Sequence, residues 1–169
     1  MAVVPTAEAG LKAIQKGATI LQMRAPGMSG RELEREAVVL VLHASVPVVV
    51  SSRCDIAIAT GAAGVNLPER DISVVEARTL MGHRLIGRSV HSVESALEAE
   101  RDGADYVIFG PVWLSPSHSD QRPQGVRALG EVARVVNIPV LAIGGVTDER
   151  VNICADAGAA GYAAITMFE

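Results

Sequence analysis

Aromatic side chains are nearly missing from this chain: one Trp, two Tyr and two Phe stand among 169 residues. A core of stacked rings is thereby excluded. Yet 49% of the residues are hydrophobic, so Ala, Val, Ile and Leu must fill the interior. Small aliphatic residues at that density suit parallel strands packed under helices and speak against a β-sandwich. Cysteine is equally scarce. Cys54 and Cys154, the two present, match no metal-ligand spacing and build no disulfide framework, which leaves reduced thiols in a cytoplasmic protein as the expectation. There is no stripe of Lys and Arg, and the net charge is −4 with a pI near 5.6. That balance argues against nucleic acid and anionic membranes as partners. The longest apolar stretch, 37–50, is interrupted by His43, Ser45 and Pro47, too short and too broken to span a bilayer. The first residues also lack the charged-then-apolar layout of a secretion signal.

What the chain does have is a repeated phrase, Gly-Ala followed by a short apolar run. It occurs at Gly17-Ala18 before 19–23, Gly61-Ala62 before 64–67, Gly103-Ala104 before 105–109 and Gly158-Ala159 before 161–165. Glycine supplies a left-handed helix cap, and the small residue lets the chain pass beneath the helices. Runs at 46–51, 85–90 and 138–143 raise the number of predicted strands to seven. Helix starts are written between them. Ser29 with Glu32 and Ser73 with Glu76 match the capping box, while Thr6 with Glu8, Ser92 with Glu94, Thr147 with Asp148 and Glu149, and Gly125 open others.

This alternation predicts one domain, 1–169, of the α/β class with a parallel sheet. The number of units favours a TIM-type (β/α)8 barrel over an open sheet, although such barrels usually run to about 250 residues and seldom fall below about 200. The shortfall lies at both termini: Ala2-Val3-Val4 is brief for a first strand, and no eighth helix follows 161–165. Three expectations follow: an incomplete barrel, one closed by a partner copy in a homo-oligomer, or a longer natural polypeptide.

Candidate chemistry gathers near the C-terminus. Gly144 and Gly145 follow one strand, and Thr166 and Met167 follow the next. Amides uncovered by a Cβ at the ends of barrel strands seven and eight commonly cradle a phosphate. A tight strand-to-helix turn is the competing reading of the glycines.

Several stretches together resemble the thiamin phosphate synthase/TenI family. They are Leu21-Gln22-Met23-Arg24, Arg53-Cys54-Asp55-Ile56-Ala57, Gly64-Val65-Asn66-Leu67, Ile86-Gly87-Arg88-Ser89-Val90-His91-Ser92, Phe109-Gly110-Pro111-Val112 and Ala142-Ile143-Gly144-Gly145-Val146. The resemblance implies a small barrel enzyme of thiamin biosynthesis. Its substrates would be a phosphorylated pyrimidine and a phosphorylated thiazole, joined with release of pyrophosphate and assisted by Mg²⁺. It further implies that Gln22, Arg24, Ser51, Ser89, Ser115, Ser117 and His118 hold the diphosphate. Asp71 would bind the metal, and Gly144, Gly145, Thr166 and Met167 the thiazole phosphate.

The chain departs from the family pattern at three charged positions. Pro26 stands where a lysine is usual, Ser51-Ser52 replaces Asn-Asp, and His118 replaces the lysine of a Thr-Pro-Thr-Lys loop, here Ser115-Pro116-Ser117-His118. Histidine carries little charge at neutral pH, so the diphosphate half is weakened and the thiazole half is better kept. The stretch 115–125 reads as a lid. Besides a different phosphosugar barrel enzyme that shares only the phosphate cradle, two alternatives accompany the synthase expectation. One is a TenI-like thiazole phosphate tautomerase, although Pro111 occupies the place of that branch's proton-shuttling histidine. The other is a binding or regulatory protein that holds thiazole phosphate without turning it over. His91 is read as structural, because the next residue starts a helix.

Overall fold

In the computed structural model, which describes residues 1–114 and 122–169, strand and helix alternate along the chain. β1 (Ala2–Val4) leads to α1 (Ala7–Gln15), β2 (Leu21–Met23) to α2 (Gly30–His43), and β3 (Val48–Ser51) to α3 (Cys54–Thr60). β4 (Gly64–Leu67) and α4 (Val74–Met81) follow, then β5 (Leu85–Val90) and α5 (Val93–Arg101). β6 (Tyr106–Phe109), α6 (Gly125–Val135), β7 (Val140–Ile143), α7 (Asp148–Asp156) and β8 (Gly161–Ala163) complete the series, and a 3-10 turn spans Thr166–Phe168. Each strand pairs in parallel with the next, in the order β1 to β8.

Ala2-Val3-Val4, brief as it is, serves as the eighth strand. The Val3 amide donates to the Ala164 carbonyl at 2.9 Å and the Ala164 amide to the Met1 carbonyl at 3.1 Å. A single bridge between Ala2 and Ala164 thus brings the ends of the sheet together. The chain's own first and last strands meet, where the sequence left closure to a partner copy among the options.

Strand alternation sorts the apolar residues into two cores. Leu21, Met23, Val48, Val50, Val65, Leu67, Ile86, Val107 and Phe109 face outward and are buried under helix residues such as Leu33, Leu40, Ala57, Ala77 and Leu129. Val3, Val49, Tyr106, Ile108 and Ala163 form the smaller cluster inside the barrel, with Leu141 and Ile165 half-buried against it. Among the described residues no helix is long and apolar enough to cross a membrane.

The Gly-Ala phrase is a repeated helix stop. At each occurrence the alanine amide reaches back to a carbonyl five residues earlier: Ala18 to Ala13 at 3.0 Å, Ala62 to Ala57 at 2.9 Å, Ala104 to Ala99 at 2.9 Å, and Ala159 to Cys154 at 3.0 Å. The preceding glycine takes φ between 71° and 92°, the left-handed geometry of a Schellman turn. Capping boxes form at Ser29 with Glu32 and at Ser73 with Glu76, as expected. Two helix starts differ in detail. Ser92 pairs with Ser95 instead of Glu94, and the Thr147 hydroxyl donates to the Glu149 carboxylate at 2.7 Å instead of capping an amide. Cys54 and Cys154 are free and buried. Burial pushes both thiols up, and the nearby Asp71 and Asp55 charges add to the rise at Cys54, so neither is a ready nucleophile.

Candidate active site

The carboxyl ends of the strands surround a cavity of about 170 Å³. Its floor is polar and neutral. Gln22 on β2, Ser51 on β3, Asn66 on β4 and Ser89 on β5 occupy successive strands and point inward. Gln22 and Asn66 are 4% and 2% exposed, the buried polar side chains of the barrel. Gln22 Nε2 donates to Ser51 Oγ at 3.4 Å, and Asn66 Nδ2 donates to Ser89 Oγ at 3.1 Å. The Asn66 Oδ1 atom, also buried, has no partner among the described residues.

Charge is confined to the rim. Arg24 follows β2 directly and, among the described residues, is the one Arg or Lys on the cavity wall. Its guanidinium has no hydrogen-bond or ion-pair partner among the described residues. Glu69 and His91 also line the wall, with His91 Nε2 3.9 Å from Glu69 Oε2. The His91 Nδ1 contacts the Gly110 carbonyl. A carbonyl can only accept, so Nδ1 carries a proton toward Gly110. Arg88 fixes the Glu69 loop from behind, donating to the carbonyls of Ile72 and Glu69 at 2.7 Å each.

The far wall is the β7–α7 turn. Gly144 lines the cavity and takes φ of 92°, Gly145 follows at 65°, and both lie beneath the segment after β6. A Cβ on Gly144 would meet Pro111 at 2.6 Å, and one on Gly145 the Leu114 carbonyl at 2.6 Å. Trp113 donates its amide to the Gly144 carbonyl at 3.0 Å, while Arg150 donates to the Gly145 carbonyl at 2.6 Å and lies 4.9 Å over the Trp113 ring. The turn reading of these glycines is therefore physically sufficient. Even so, the amides of Gly144 and Gly145, like those of Ile165, Thr166 and Met167, have no acceptor among the described residues.

Of the residues expected to converge, Gln22, Arg24, Ser51, Ser89 and Gly144 share this cavity. Gly145, Thr166, Met167 and Asp71 do not reach its wall. Gly145 is tucked under Trp113 and Leu114. Because β8 ends at Ala163, Thr166 is exposed on the 3-10 turn, and Met167 packs half-buried against the outer core. Asp71 lies on the β4–α4 loop, where its Oδ1 accepts from the Ile72 amide at 2.8 Å, the turn role a short acid often takes. Among the described residues no three His, Cys, Asp or Glu side chains converge as a metal site. Ser115, Ser117 and His118 lie outside the described residues.

Asn66, Glu69 and His91 were not singled out for the site. For His91 a signal existed: Gly87, Ser89 and His91 follow the two-residue period of β5, so the ring continues the inward face past the strand's end.

The family described as thiamine monophosphate synthase matches residues 4–168 of this chain. A thiamine-phosphate synthase of Chlorobium luteolum is 41% identical over 160 residues, spanning 92% of this chain and 76% of that protein. One of Chloroflexus aurantiacus is 38% identical over 158 residues, spanning 91% of this chain and 73% of its own length. The solved structure of a thiamine phosphate pyrophosphorylase from Pyrococcus furiosus superimposes with a TM-score of 0.90 at 32% identity, over 99% of this chain and 86% of that one.

Proposed function

The chain belongs to the thiamine monophosphate synthase family, and from that premise we propose that it joins a hydroxymethylpyrimidine diphosphate to a thiazole phosphate, at a low rate, in the cytoplasm. One observation carries this reading: a single cavity is lined by the Arg24 guanidinium and by Gly144 and Ile165, and neither that guanidinium nor those two amides have a partner among the described residues. Arg24 would grip the diphosphate through paired N–H donors. The amides after β7 and β8 would receive the thiazole phosphate; neighbouring parallel strands stand only about 5 Å apart.

The chemistry asks for little acid–base work. The C–O bond to the diphosphate breaks with both electrons leaving on oxygen, and the thiazole nitrogen's lone pair forms the new C–N bond at the same carbon. Stabilising the departing charge and aligning two rings are the tasks left to the protein. A magnesium ion, when bound, would neutralise part of the leaving diphosphate. Asp71, expected as its carboxylate, lies off the cavity wall with Oδ1 accepting from the Ile72 amide, so phosphate oxygens and water would have to supply most of the ion's shell. Pro26 and Ser52, standing where the family pattern has a cation and a carboxylate, set the low rate.

Incubation with both substrates and Mg²⁺ should yield thiamine phosphate slowly. Ser52→Asp should raise turnover several-fold by supplying a second carboxylate. Ser52 has φ of 64°, a conformation that aspartate tolerates better than most residues. Folded protein that forms no product, in the parent and in the variant alike, would sink the synthase reading.

His91 and Glu69 favour a second reading, proton transfer on a thiazole carboxylate phosphate. His91 projects into the cavity beside Gly110, one residue before the proline that replaces the TenI-type histidine. On this reading His91→Gln should cut tautomerisation by roughly 100-fold or more while ring coupling changes by less than about threefold. Equal loss of both activities would assign His91 to packing or binding.

A further inference from the structure

Three consecutive amides open from the β7–α7 turn, and each is aimed by a bond made on its far side. Gly144, Gly145 and Val146 donate to no acceptor among the described residues. In a planar trans peptide the N–H points opposite to the preceding carbonyl, so whatever holds that carbonyl orients the amide. The Val112 amide holds the Ile143 carbonyl at 2.8 Å, and the Trp113 amide holds the Gly144 carbonyl at 3.0 Å. The third carbonyl, on Gly145, is held by a side chain instead: Arg150 donates to it at 2.6 Å. Arg150 does not reach the cavity wall, and its guanidinium is itself seated, 4.9 Å over the Trp113 ring. The backbone alone would not keep this shape. Gly144 and Gly145, at φ of 92° and 65°, are residues with the most freedom to lose on ordering. Successive amides in such a turn form an anion-binding hollow only while their peptide planes stay fixed.

We propose that Arg150 is a positioning residue for the thiazole phosphate. It fixes the Gly145–Val146 peptide, so that the Val146 amide joins those of Gly144 and Gly145 as a third donor. Its stacking on Trp113 ties that peptide to the same segment that holds the other two. Arg150 thus acts on the phosphate through the backbone and not by contact. Without its head group, binding would have to order a free glycine peptide first, which lowers affinity. The proposal rests on the synthase reading, which supplies the phosphate, and adds the side chain that shapes its cradle.

Calorimetry with thiazole phosphate and, separately, with the pyrimidine diphosphate tests it. Arg150→Met keeps an unbranched apolar stem and removes every donor. Its affinity for thiazole phosphate should fall roughly 10-fold, while that for the pyrimidine diphosphate stays within about twofold. Arg150→Lys still donates to the Gly145 carbonyl and lies over the indole, and should stay within about threefold of the parent. Trp113→Leu, which removes the seat and keeps the main-chain bond, should cost about threefold on thiazole phosphate alone. The loss in Arg150→Met should be equal at about 50 and about 500 mM salt, whereas direct attraction between charges would fade with screening. Unaltered thiazole phosphate affinity in folded Arg150→Met, equal losses for both ligands, or a loss that vanishes in high salt would each overturn the inference. The synthase reading would stand in those cases if the parent couples the two rings. A parent that binds no thiazole phosphate overturns both.

Discussion

Replacing Arg24 by Gln should lower kcat/KM for the pyrimidine diphosphate by two to three orders of magnitude, roughly the loss seen when one group aimed at developing charge is removed. The expectation follows from how little cationic help the site has. Among the described residues Arg24 is the one Arg or Lys on the cavity wall, and Pro26 leaves the next family position without charge. Nothing else among the described residues engages the guanidinium, so its five N–H donors are free for phosphate oxygens. The same isolation means that its removal should leave the melting temperature unchanged. Arg24→Lys should fall between parent and Gln, because an ammonium keeps the charge and loses the planar fork. Steady-state kinetics with varied diphosphate, alongside thermal melts, check the pattern. An Arg24→Gln enzyme with unaltered kcat/KM would remove Arg24 from the chemistry.

Gly87→Ala should destabilise the barrel by about 3 kcal/mol, the upper part of the range for forcing a methyl into a packed interior, and lower Tm by roughly 6–12 °C for a chain of this size. A Cβ at position 87 would lie inside van der Waals contact with the Tyr106 ring, meeting Cζ, Cε2 and the hydroxyl. The two residues are register partners on β5 and β6. Tyr106 is 7% exposed and its hydroxyl has no partner among the described residues, so the ring is held in place by packing. Tyr106→Leu placed in the Gly87→Ala background should recover at least half of the loss. That coupling separates a local clash from a general penalty on β5. Additive effects of the two changes in chemical denaturation would contradict it.

The fold was legible because its punctuation is chemical. Four Gly-Ala stops and two serine–glutamate capping boxes state where helices begin and end whatever the tertiary context. β1 was harder to read. Three residues carry no periodicity, and Ala2-Val3-Val4 becomes a strand only because β2 and the chain near β8 offer it partners on both sides. At the site, Gln22, Arg24, Ser51 and Ser89 share one cavity because they inherit their direction from the alternation of their strands. Residues beyond the strand ends have no such guide. Whether Gly145 faces a ligand or Trp113, and whether Asp71 reaches the cavity or its own loop amide, depends on how separate loops stack, which one-dimensional spacing does not encode. His91 shows the intermediate case, since the helix start at Ser92 obscured a strand period running one step further.

The Ala2–Ala164 bridge has a consequence for motion. Other neighbouring strands are held over three or four residue pairs, whereas the first and last meet through two hydrogen bonds. Such a seam is where a barrel breathes most readily, on the low-free-energy side of local opening. Val3 and Ile165, flanking it, also line the cavity. A ligand filling that cavity would span the seam and act as a clasp across it. By linkage, the free energy of binding would then appear as slowed hydrogen exchange at the Val3 and Ala164 amides, making the barrel's own closure a gauge of whether its site is occupied.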